Sequence, residues 1–87
     1  MMSRHPSYDA QTRASMLQAG LYQRASGEVL PLRSMVPEHL VYALLKALRE
    51  QEPTSITRPL ASEIKRRRLV RAAYAEARRR QEKVRPL

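Results

Sequence analysis

The 87-residue chain contains no cysteine and only two glycines. Without cysteine there can be no disulfide framework and no thiolate metal site, which fits a reducing compartment. Two glycines are too few for a glycine-rich phosphate loop. No run approaches the roughly 18 apolar residues that a membrane span needs. What remains is a small chain with room for one domain, which has a thin stability margin without a partner.

Side chains suited to catalysis are also scarce. The two histidines, His5 and His39, lack the spacing of a metal-binding pair, and the serines and threonines follow no nucleophile–base pattern. His39 stands at a predicted helix start, where a capping or packing contact is the more common role. We therefore expect no enzymatic activity, no catalytic residues, no metal, no cofactor and no small-molecule substrate.

The charge is concentrated in the second half of the chain. Residues 1–50 carry six basic and four acidic residues, a net charge of +2, whereas residues 51–87 carry eleven and four, a net charge of +7. Arginine, whose planar fork of donors suits phosphates and carboxylates, outnumbers lysine in that half. The pattern predicts a near-neutral core joined to an arm that faces a polyanion or an acidic protein surface.

The first half of the chain predicts three elements. Residues 8–19 suit a short helix, with Ser7 as its cap, Asp9 in its first turn and Gly20 as its stop. Residues 21–33 suit a β-hairpin that turns at Gly27. The helix that follows begins at Pro37, and its leucine-rich apolar stripe identifies it as the core helix.

A final helix is predicted from about Arg58 to about Lys83, capped by Thr57. The fold class is therefore mainly α, a small α+β fold in which a hairpin packs on a core helix and a long basic C-terminal helix follows. A single domain is expected. Its parts are an N-terminal arm with a possible short helix (residues 1–20), the hairpin and core helix (21–52), and a linker with the basic helix (53–87).

The segment 21–50 resembles a pattern found in small uncharacterised proteins of bacteriophages and prophages. In that pattern an aromatic strand and a glycine turn lead to an aliphatic strand, a methionine, a short turn, a His-Leu pair and an aliphatic helix. The usual tryptophan is Tyr22 here, and a common asparagine is replaced by Tyr42. The resemblance implies a hairpin–helix fold and a phage origin, and it implies no activity. The matching positions are Tyr22, Gly27, Leu30, Leu32, Met35, His39, Leu40 and Leu44.

The final helix has two apolar stripes that point in nearly opposite directions at 100° per residue. Leu60, Ala61 and Ile64 form the first stripe. The second contains Leu69, Val70 and Tyr74 together with alanines. Either the helix bends near residues 65–68, or a straight helix docks its first turns on the core and presents the second stripe elsewhere.

Three interpretations of the basic helix stay open. It could be a solvated surface, a nucleic-acid-binding surface, or a partner-binding helix whose Leu69, Val70 and Tyr74 lie in a protein groove. The last interpretation suits an inhibitor of a host enzyme or a virion assembly component, and an oligomer is possible. Only Tyr74 interleaves with the arginines, which does not favour a base-stacking platform. The alanine-rich stripe argues against a membrane surface. We expect a nucleic-acid-binding accessory protein of the host cytoplasm or the virion. The predicted contacts are Lys65, Arg66, Arg67, Arg68, Arg71, Arg78 and Arg79.

Overall fold

The computed structural model describes residues 10–82. Four helices and a two-stranded antiparallel hairpin account for the regular structure of these residues, so the predicted mainly helical α+β fold is confirmed. Ser7 and Asp9, predicted at the start of the first helix, lie outside the described residues. The elements are α1 (Ala10–Gln18), β1 (Leu21–Gln23), β2 (Val29–Pro31), a 3₁₀ turn (Leu32–Ser34), α2 (Pro37–Arg49), α3 (Thr54–Arg66) and α4 (Val70–Arg79).

The hairpin forms where it was predicted. Tyr22 pairs with Leu30 in the antiparallel register, and both side chains pack against the core. Gly27 has φ +96°, the left-handed backbone that the glycine was predicted to supply. Pro31 ends β2, where the two-stranded sheet needs no further donor from it. The hairpin thus leads directly into the buried 3₁₀ turn and α2.

Helix α2 supplies the centre of the core, as predicted. Pro37 occupies its first turn, and Glu38 lies near the positive end of its dipole. Leu40, Leu44 and Leu45 are at most 1% exposed. Because the apolar stripe is wide, α2 contacts both α3 and α4.

The structure corrects the start of the next helix. α3 begins at Thr54 after Pro53, rather than at Arg58 after a Thr57 cap. The physical reason is the spacing of Ile56, Leu60 and Ile64, which are all buried and recur every fourth residue. Burying Ile56 on the same face requires helix from the start of α3, even though Pro59 then lies inside the helix without an N–H to donate.

The predicted single C-terminal helix is two helices. α3 ends at Arg66, and Arg68 adopts a left-handed φ of +60°. The amide of Leu69 donates to the carbonyl of Ile64 at 2.9 Å, and the amide of Arg68 donates to that of Lys65 at 3.0 Å. This is a Schellman ending. Of the two alternatives for this helix, the straight one is therefore wrong, and the direction changes close to residues 65–68.

The break resolves the conflict between the two apolar stripes. After the chain turns at residues 67–69, α4 directs its own stripe back to the core. Ala73 and Ala77 are buried there, and Leu69 and Val70 pack against the same cluster that contains Leu60 and Ile64. A straight helix would have left one of these stripes in water.

Candidate nucleic-acid interface

Two glutamates organise the arginines at the ends of α3 and α4. Glu63 accepts hydrogen bonds from Arg66 at 2.6 Å and from Arg67 at 2.8 Å. Glu76 binds Arg79 and Arg80 in the same way, at 2.7 Å each. Each glutamate lies three and four residues before its two arginines, which is the spacing that brings side chains together on a helix. Four arginines of the basic segment are thereby paired with glutamates of the same chain.

Arg67 also reaches beyond its own helix. Its Nη1 donates to the carbonyl of Met35 at 2.6 Å, and its Nη2 donates to the carbonyl of Leu32 at 2.9 Å. Only 16% of its side chain is exposed. The guanidinium therefore fastens the 3₁₀ turn to the end of α3. Arg67 was predicted as an anion contact, but its fork of donors is directed at internal oxygens.

These contacts stabilise the charged form of both glutamates. The hydrogen bond from Arg66, together with the one from Arg67, lowers the pKa of Glu63 from 4.5 to about 2, and partial burial opposes the shift. Hydrogen bonds from Arg80 and Arg79 lower the pKa of Glu76. Both carboxylates therefore keep their charge, and their arginine partners, to a lower pH than an ordinary glutamate would.

The other four predicted contacts are Lys65, Arg68, Arg71 and Arg78, and all of them are exposed. None of the four makes an ion pair with any residue between 10 and 82. Arg71 and Arg78 lie on the outward face of α4, two turns and about 10.5 Å apart along its axis. Arg68 projects from the turn before α4, and Lys65 lies in the last turn of α3. Four positive side chains can therefore meet external anions without first breaking an internal ion pair.

The predicted arc of arginines was calculated on one continuous helix. Since the chain breaks between Arg66 and Val70, angles measured in α3 do not carry over to α4. The structure brings Arg71 and Arg78 onto one face, separates them from the internal Arg67, and leaves Arg66 and Arg79 exposed but paired. The seven predicted contacts thus divide into an available group and a paired group.

The predicted partner-binding stripe turns inward. Leu69 and Val70 are half-buried against the core, and Tyr74 is also half-buried. The helix faces the core through Ala73 and Ala77, whose small side chains allow a close approach. Leu69 and Val70 are thus partly covered by the core, and the large apolar side chains that are exposed among the described residues lie elsewhere, at Val29, Val36 and Tyr42.

One contact near the arginines was missed in the sequence. The guanidinium carbon of Arg80 lies 5.3 Å from the centre of the Tyr42 ring, at the boundary between α2 and α4. A groove of about 370 Å³ runs between these helices, and Leu69 and Ala72 line it together with the tyrosine. The two residues are far apart in sequence, and no local pattern joins them. The outward position of Tyr42 on α2 was the available signal.

Comparisons of the chain with protein-family models, curated protein sequences and solved structures gave no match. Within residues 10–82, no helix combines the length and the apolar character that crossing a bilayer requires. Any function must therefore be inferred from the charges and contacts of the chain itself.

Proposed function

We propose that this chain is a non-catalytic nucleic-acid-binding protein. Its contact surface is the unpaired group Lys65, Arg68, Arg71 and Arg78, which we call the cationic face. The observation that carries the proposal is the division of the basic segment. Arg66 and Arg67 share Glu63, and Arg79 and Arg80 share Glu76, whereas the cationic face has no acidic partner within residues 10–82.

The mechanism is neutralisation of phosphates with release of bound counterions. Four phosphate contacts correspond to a slope of about −3.6 in a plot of log affinity against log salt for duplex DNA. Such binding is largely independent of sequence, because charge contacts with the backbone carry no base information. The exposed Ala72 and Ala75 on α4 leave room for the backbone to approach Arg71 and Arg78.

The packing of α4 favours nucleic acid over a protein groove. A helix that enters a groove on a partner needs an exposed apolar stripe, and Leu69 and Val70 already pack on the core. An acidic protein surface remains the alternative that the experiment must separate. A phage origin and a cytoplasmic or virion location stay predictions.

The test compares two double variants with the same change in net charge. Arg71→Gln/Arg78→Gln removes half of the cationic face, and Arg33→Gln/Arg58→Gln removes two exposed arginines outside the basic segment that also make no ion pair with residues 10–82. Affinity for a 20-nucleotide single strand, its duplex and an RNA of the same sequence is measured at several salt concentrations. Polyglutamate of matched charge serves as the acidic polypeptide.

We expect the first variant to lose affinity and to flatten the salt slope by about 1.8 units on duplex DNA, because two counterion-releasing contacts are gone. The control should keep nearly the parent slope. Circular dichroism and thermal melting check that both variants fold. Equal losses in the two variants, or no salt-dependent binding by the parent at low salt, would refute the proposal. Tighter binding to polyglutamate than to nucleic acid would favour the acidic protein.

A further inference from the structure

Helices α2, α3 and α4 form a three-helix unit around one core. Each of them contacts the other two, and their buried residues belong to a single apolar cluster. α3 and α4 are joined by a turn of three residues, 67–69. Two helices joined by a turn of this length make a helix-turn-helix unit, and in its DNA-binding form the second helix lies in the major groove. α4 has the position of that second helix.

The exposed side of α4 is a narrow basic ridge. Its members are Arg71, Ala72, Ala75, Arg78 and Arg79. At 100° per residue they fall within about 120° of the helix circumference, with Arg71 and Arg78 at one edge and Ala75 at the centre. Glu76, the acidic residue of α4, lies outside this arc, and its carboxylate is already paired with arginines. The ridge therefore presents positive charge to the solvent with no carboxylate among its members.

The ridge has the dimensions of a DNA groove. A helix with its side chains is about 10–12 Å across, and the major groove of B-form DNA is about 12 Å wide. Ala72 and Ala75 carry only a methyl group, so the centre of the ridge can approach the base edges closely. Alanine makes no hydrogen bond there, and its available contact is with the methyl group of thymine. Such a helix recognises the groove more than the base sequence.

The turn that presents α4 is fixed by hydrogen bonds. The Schellman bonds close the end of α3, and Arg67 joins the turn to two carbonyls of the 3₁₀ segment. Arg68 is exposed in this turn, directly before the first residue of α4. Because the turn is already ordered, little affinity is lost to ordering it on binding.

We propose that α4 lies in the major groove of double-stranded DNA, with Ala72 and Ala75 towards the base edges and Arg71 and Arg78 on the phosphates beside the groove. This inference rests on the proposed function and adds to it the form of the ligand. A single strand has no groove to hold the helix. The major groove of an RNA duplex is deep and narrow, so it does not admit side chains.

The first experiment compares ligands. Affinity is measured for a short DNA duplex, an RNA duplex of the same sequence and the DNA single strand, at one salt concentration. We expect the DNA duplex to bind at least about tenfold more tightly than the RNA duplex, the size of one lost contact with a base edge. Equal affinities for the two duplexes would refute the placement in the groove.

The second experiment adds bulk to the ridge with Ala75→Leu. Leucine follows alanine closely in helix propensity and adds no charge, so the fold and the attraction to phosphates should persist. We expect DNA duplex affinity to fall by about tenfold or more, because the helix is held away from the base edges. Single-strand affinity should change by less than about twofold, because a flexible strand needs only the charges. Ala75→Ser, which stays small, and Ala19→Leu, at an exposed alanine just after α1, should both keep the parent affinities.

The third experiment needs no variant. Dimethyl sulfate methylates guanine at N7, which faces the major groove, and adenine at N3, which faces the minor groove. Saturating parent protein should protect guanine N7 in the duplex and leave adenine N3 reactive. Protection of adenine N3 with guanine N7 left reactive would overturn the proposal.

The outcomes separate the two proposals. If Arg71→Gln/Arg78→Gln weakens binding while Ala75→Leu leaves duplex affinity unchanged, the cationic face stands and the placement of α4 in the groove is refuted. If Ala75→Leu weakens duplex and single-strand binding equally, the leucine acts on the fold or on general contact, and the placement is again refuted. No nucleic-acid binding by the parent refutes both proposals.

Discussion

Replacing Arg67 with methionine tests whether this arginine belongs to the fold rather than to the surface. Methionine keeps an unbranched apolar side chain of similar reach, and it fits a helix end about as well as arginine does. What it removes is the fork that joins Glu63 to the carbonyls of Leu32 and Met35. The change therefore probes the connection between α3 and the 3₁₀ turn.

The expected loss follows from these contacts. Hydrogen bonds that involve a charged group contribute about 1.5–3 kcal/mol each. The Leu32 carbonyl also accepts from the amide of Met35 at 3.1 Å, so it keeps one hydrogen bond after the guanidinium is removed. The Met35 carbonyl loses the guanidinium of a side chain that is only 16% exposed. We expect Arg67→Met to lower the free energy of unfolding by about 2–4 kcal/mol, a large share of the stability of a small domain.

Urea unfolding followed by circular dichroism measures this loss. With a slope of about 1 kcal/mol per molar urea, the midpoint should fall by about 2 M or more. Arg66→Met is the matched control, because Arg66 is the neighbour that binds the same glutamate with a side chain 63% exposed. Its midpoint should change little. Arg67→Lys should resemble Arg67→Met, since lysine cannot fork to two carbonyls. Equal midpoints for Arg66→Met and Arg67→Met would refute the internal role of Arg67.

Three further predictions concern the core, the hairpin and the response to acid. Leu44→Ala should lower the free energy of unfolding by about 2–5 kcal/mol, because Leu44 is fully buried on α2. The control Leu44→Met, which nearly conserves volume, should lower it by less than about 1.5 kcal/mol. A melting curve unchanged by Leu44→Ala would contradict the assignment of Leu44 to the core. Gly27→Val should cost at least about 1–2 kcal/mol in chemical unfolding, because a β-branched residue does not suit φ +96°, and the less hindered Gly27→Asn should cost less. Glu63 has its folded pKa of about 2 below the ordinary value of 4.5, so its ion pairs contribute stability above about pH 4.5 that is lost as pH falls towards 2. Between these pH values, the stability of Glu63→Gln should therefore fall less steeply with acid than that of the parent; identical slopes would show that the Glu63 contacts do not contribute.

The hairpin and α2 were predictable because their signals are local. Gly27 has the left-handed backbone expected of it, and Pro37 begins the helix expected after it. The leucines of α2 repeat at helical spacing, and that repeat identifies the buried face without knowledge of what covers it. Each of these features depends on neighbours within a few residues, which a sequence displays directly.

The break between α3 and α4 was harder to locate because its left-handed residue is not a glycine. All four helices end at a left-handed residue, and only α1 uses glycine, at Gly20. α2 uses Gln51, α3 uses Arg68 and α4 uses Gln81. A non-glycine residue in this conformation costs about 1–2 kcal/mol, which at Arg68 the two closing hydrogen bonds and the burial of α4 offset. The opposed stripes indicated that the helix could bend, but the stopping residue carried no local sign.

In the candidate site, too, contacts between residues close in sequence were predictable, and contacts between distant residues were not. The glutamate–arginine pairs of α3 and α4 could be read from their three- and four-residue spacing, and the Glu76–Arg80 pair had that spacing in the sequence. Two other contacts could not be read from the sequence: Arg67 with the 3₁₀ turn, and Arg80 with Tyr42. Both depend on how α2 packs against the last two helices. A run of arginines therefore predicts an anion-binding segment, but it does not show which of the arginines are available to bind an external anion. That distinction comes from counting which guanidinium groups already have oxygen partners, and here that count separates Arg67 from Arg71 and Arg78.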